Sequence, residues 1–124
     1  MKNTFQKTKV IIVLNGNFND IKDKINSLEY CLKNDTGSSS VNSVFISSKL
    51  DLIKINILSD VSRIKKGQEI ILSKSINNDQ IIDNMKKINK TYVDLYIRVD
   101  SIQKSLKNDA YPLPQYVLDY LIDV

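Results

Sequence analysis

Arg63, Lys65 and Lys66 stand within four positions of one another, and a cation cluster of this kind is a contact for phosphate or another anion. Lys2, Lys7 and Lys9 form a second basic spot. Residues 1–78 carry five more basic than acidic side chains and residues 79–124 one fewer, so the positive field of this +4 chain belongs to its first part. No aromatic side chains interleave with these cations to stack bases, and no helix-turn-helix pattern is legible. Solvated turn lysines are the plainer reading, and a basic oligomer that binds nucleic acid is the alternative.

The other reactive residue types point away from catalysis. The chain has no histidine, which removes the usual general base and the middle member of serine and cysteine triads. It also removes any zinc site built from thiolate and imidazole. Cys31 is the single cysteine, so no intrachain disulfide exists, and it reads as a small buried side chain on a helix. Asp100, Asp109, Asp119 and Asp123 lack the spacing of a metal site or an acid/base pair. Asn15, Gly16 and Asn17 follow a β-branched run, where phosphate-binding loops occur. One glycine without a following Gly-Lys-Ser/Thr is not that motif, however, and a plain turn is expected. No enzyme, metal or cofactor is predicted.

The elements that must position these residues are set by apolar spacing. Ile81, Met85, Ile88, Tyr92, Leu95, Val99, Ile102 and Leu106 recur at intervals alternating between four and three, which only a helix places on one side. As one rod this seam would be about 39 Å long at 1.5 Å per residue, more than a small sheet should need. Written as heptads, Met85, Tyr92, Val99 and Leu106 take the a positions and Ile81, Ile88, Leu95 and Ile102 take d. Isoleucine at d shifts a coiled coil toward three or four strands. The seam is therefore predicted to be an oligomer interface, trimeric or tetrameric before dimeric. Val93 and Ile97 lie on another side of the same helix, so its middle can touch two things at once.

Earlier in the chain the pattern reads as strands. Residues 10–14, Val-Ile-Ile-Val-Leu, suit a strand covered on both faces. Ile21, Ile25, Leu28 and Leu32 form one helical stripe after an Asn19 N-cap. Residues 44–46, 50–58 and 69–73 read as further strands, the second with Ile53, Ile55 and Ile57 alternating against Lys54 and Asn56. Turns are expected at 47–49 and 65–68, with Gly67 in the latter, and a flexible loop at 36–40. N-cap chemistry at 77–79 starts the long helix, and Pro112 and Pro114 end it. Beyond them Leu113, Tyr116, Val117, Tyr120 and Leu121 form an amphipathic tail able to dock on a subunit or partner.

The expected architecture is thus α+β. A β-α-β-β-β domain with a small, mostly antiparallel sheet and one covering helix spans 1–75, and a long oligomerisation helix with a proline-broken tail spans 76–124. No apolar run approaches the roughly 20 residues that cross a bilayer, no secretory core opens the chain, and cytoplasmic residence is expected. The favoured function is a non-enzymatic structural, adaptor or inhibitory protein that self-associates, and its size and AT-rich composition fit a phage or mobile-element origin. A small-molecule or nucleotide-sequestering protein, with its pocket between protomers, is the third reading.

Overall fold

A computed structural model describes the backbone of residues 2–35, 37–73 and 79–124, and the side chains of 16–35, 37–69 and 79–124. Its order is α1 (Lys2–Asn34), β1 (Ser39–Asn42), α2 (Ser43–Ser73), α3 (Asp79–Ser105), β2 (Ala110–Leu113) and α4 (Gln115–Asp123). The expected α+β sheet domain is absent among the described residues. Their only sheet is the two-stranded antiparallel pair of β1 with β2.

Each predicted strand lies inside a helix. Residues 10–14 and the expected turn at 15–17 belong to α1, and residues 44–46, 50–58 and 69–73, with both intervening turns, belong to α2. The physical reason is clearest in α2. Ile46, Leu50, Ile53, Ile57, Asp60 and Ile64 are its buried residues among the described side chains, and their intervals of 4, 3, 4, 3 and 4 trace one helical face. Ile53 and Ile57 share that face, whereas Ile55 points to solvent at 59% exposure. The β-branched alternation is only the local part of a longer helical period that tertiary packing rewards. An aspartate occupying one slot of the stripe disguises it.

α2 and α3 form an antiparallel hairpin. From one end to the other, Gln103 Nε2 donates to the Ser47 carbonyl at 2.9 Å, Lys54 Nζ to Asp100 Oδ1 at 2.9 Å, and Gly67 lies beside Met85. α1 covers one face of this hairpin and runs the same way as α3. Phe18 meets Tyr92 edge to face at 5.5 Å between centroids, and Glu29 pairs with Arg98 at 3.2 Å. Among the described side chains of α1, Ile25, Leu28 and Cys31 are buried, with Ile21 and Leu32 packed at their margins. At the far end of α1, Asp35 turns the chain with φ at 48° and its amide donates to the Cys31 carbonyl. Aspartate tolerates that left-handed conformation better than most residues.

The two strands clasp the base of the hairpin. Their register pairs Ser39 with Leu113 and Asn42 with Ala110. Asn42 then caps α2, its Oδ1 accepting from the Val44 amide at 2.7 Å. The Tyr111 hydroxyl accepts from the amides of Lys107 and Asn108 and so closes the turn after α3. Pro112 fits because a two-stranded ladder is all edge. α4 begins after Pro114 and inserts Val117 and Leu121 against Ile25, Leu28 and Ile53. Elements on both sides of residue 75 consequently share one core and one ladder. Residues 77 and 78 of the expected N-cap lie outside the described residues. No described helix is long and apolar enough to cross a membrane.

Candidate interaction surface

The seam residues all fall on α3 or just past it, but they face inward. Met85, Ile88, Tyr92, Leu95, Val99 and Ile102 are buried against the chain's own helices, and Ile81 and Leu106 pack at the margins of the same core. The expectation that this seam is an oligomer interface is therefore corrected: α1, of which only 10–14 was read as strand, and α2, read as strands and turns, supply the apolar cover that a small sheet could not. The tail behaves alike. Leu113, Val117 and Leu121 are buried, whereas Tyr116 is half exposed and Tyr120 stacks edge to face on it at 6.0 Å.

The other side of the hairpin is left bare. Helical geometry places Ile55 and Leu58 of α2, and Val93 and Ile97 of α3, on the face opposite α1. They flank the point where Lys54 sits 5.5 Å from the Tyr96 ring centroid while bonding Asp100. Ile55 is 59% exposed, Leu58 51%, Val93 40% and Ile97 57%. Buried aliphatic side chains each gain about 1.5–3 kcal/mol, so four of them held in water on one face are a latent source of binding free energy. Of these, Val93 and Ile97 were legible in the sequence. Ile55 and Leu58 become visible only once α2 is known to be a helix.

Polar contacts brace this face. Hydrogen bonds from Lys104 first and Lys54 second hold the Asp100 carboxyl below its usual range, and the bond to Asp100 raises Lys54. Gln103 ties α3 to α2 a second time through Asp51 Oδ1 at 2.7 Å. These ties fix the register of the two helices and hence the alignment of the four aliphatic residues.

The predicted anion site does not assemble as a free cluster. Arg63 Nη1 donates to Asp60 Oδ1 at 3.1 Å, which turns it toward a buried carboxylate, whereas Lys65 and Lys66 are exposed. Asp60 also accepts the phenol of Tyr92, and burial followed by that bond pushes the Tyr92 hydroxyl far above its ordinary value. A polar cleft of about 320 Å³ opens beside this pair, lined by Asp20, Lys24, Asn56 and Arg63 among others. A second, of about 420 Å³, lies between the ends of α1 and α3. Neither contains three side chains arranged to hold a metal, among the described residues.

The buried phenol has a measurable signature. Because folding raises its pKa, the stability it confers is complete below about pH 10, the unfolded value, and is lost as the pH climbs above that. Urea midpoints between pH 8 and 11 should fall more steeply for the parent than for Tyr92→Phe. The variant itself should cost about 1 kcal/mol at neutral pH. Equal slopes would show that Tyr92 does not titrate differently on folding.

No known protein family, curated protein or solved structure matches this chain. The arrangement is described by its own geometry, as a three-helix bundle with a two-stranded clasp and a short terminal helix.

Proposed function

We propose that this chain is a non-enzymatic interaction protein, structural, adaptor or inhibitory, that docks another protein chain on the outer face of its α2/α3 hairpin. The observation that carries the reading is the alignment of Ile55, Leu58, Val93 and Ile97 on one braced, solvent-facing side. Two residues from each of two antiparallel helices make a shallow apolar strip of the kind into which a further helix packs. Two of the charged side chains, Arg63 and Arg98, are engaged in fold-making pairs with Asp60 and Glu29.

Carbene footprinting of the native chain tests this. Labelling at the four aliphatic residues should be strong in dilute buffer and fall when the chain is concentrated or placed in an extract of its source cells. Equal labelling under all three conditions would overturn the reading.

A further inference from the structure

We propose that α4 is a releasable strap: it fills, from within the same chain, a groove between α1 and α2 that accepts an amphipathic helix, and so withholds that groove from a helix of another protein. This site is separate from the outer strip of the α2/α3 hairpin and does not depend on it.

The attachments of α4 differ in kind from those of the other helices. α1, α2 and α3 are cross-tied by Arg98 with Glu29, Lys54 with Asp100 and Gln103 with Ser47. No ion pair ties α4 to another element among the described residues. It joins β2 through the single residue Pro114 and has no side-chain cap. Its hold is the burial of Val117 and Leu121, four positions apart, while Tyr116 and Ile122 stand half in water. Its nine residues are fewer than a helix needs to persist alone in water, so α4 is helical only while seated and leaves as one cooperative unit. The three-helix packing survives that departure, because none of its cross-ties involves an α4 residue and the clasp holds β2 in place by its own ladder.

The groove is made by Ile25 and Leu28 of α1 and Ile53 of α2, and Tyr116 closes its end over the buried Cys31, with Oη 4.0 Å from Sγ. α4 itself defines the occupant that fits: a helix with aliphatic anchors at i and i+4, the pattern by which helices lie in apolar grooves. A one-residue tether gives α4 a high effective concentration at its own groove. An outside helix therefore binds only in proportion to the fraction of chains whose strap is open.

Maleimide alkylation of Cys31, the single thiol, reads the opening in the full chain. In the parent, the openings reported by Cys31 and by hydrogen exchange of the α4 amides should agree, and both should be at least about tenfold more frequent than those of the buried amides of α2 and α3. Val117→Asp with Leu121→Asp should speed alkylation about a hundredfold while the helical signal of α1, α2 and α3 is kept. In that variant a millimolar peptide of residues 114–124 should slow alkylation about fivefold by refilling the groove, and the same peptide with aspartate at both anchors should not. A parent thiol that reacts only through global unfolding overturns the strap, as does a variant that loses the helical signal of the bundle. A freed groove that the peptide does not shield overturns its acceptance of a helix.

Discussion

Leu95→Lys combined with Ile102→Lys should abolish the folded state, with loss of chemical-shift dispersion and of most helical signal at 25 °C. Both side chains are buried on α3, at 4% and 6% exposure, between the chain's own helices. Each substitution removes a core aliphatic group, at about 2–5 kcal/mol by analogy with truncation to alanine. Each also brings an ammonium to a site where its charge is poorly solvated. Together these exceed or rival the roughly 5–15 kcal/mol by which domains of this kind are stable. An assembly interface on the seam would give the opposite result: smaller particles with their secondary structure intact. Thermal melts and proton spectra of the double variant separate the two outcomes.

Gly37→Ala should be the most damaging alanine substitution among the three glycines, costing about 3 kcal/mol, the upper part of the range for overpacking. A Cβ built on Gly37 falls inside the backbone of Leu113, meeting its N, Cα and carbonyl carbon. Backbone cannot swing away as the end of a side chain can, so the clasp must open or shift register. Leu113 is itself fully buried, and displacing it disturbs the packing of α4. Gly67 offers an internal control. There an added methyl meets only the Met85 Cε, at 2.8 Å, the free end of a flexible side chain, and the helical position favours alanine. Gly67→Ala should therefore be close to neutral, and urea denaturation of the two variants side by side checks the contrast. A Gly37→Ala protein as stable as its parent would mean that the clasp yields freely.

Helical spacing could be read wherever the stripe was purely apolar. α3 followed from its seam, and the stripe through Ile21, Ile25, Leu28 and Leu32 lies on α1. α2 was hidden by two coincidences of composition. Isoleucine and leucine at 50, 52, 53, 55, 57 and 58 satisfy a strand's period of two over a short window, and Asp60 interrupts the helical stripe before Ile64 completes it. Asp60 is tolerated because Tyr92 and Arg63 bond it, a long-range fact that no local window contains. The pairing of Ser39–Asn42 with Ala110–Leu113 is equally non-local. The exposed aliphatic strip suffers the same limit. Half of it, Val93 and Ile97, stood out as surplus apolar surface on α3, and the other half was assigned to a sheet.

The clasp also orders events in folding. Its innermost pair, Asn42 with Ala110, encloses about 67 residues that are almost entirely the α2/α3 hairpin. Tying such a loop in an unstructured chain costs about 4 kcal/mol in entropy, which offsets most of what four short rungs return at about 0.5–1.5 kcal/mol each. Once the two helices have met, their ends already stand side by side and the same ladder closes almost without cost. The strands thus act as a latch that a finished hairpin shuts most readily. In shutting, they hold against fraying the ends of α2 and α3 that carry Asp51 and Asp100.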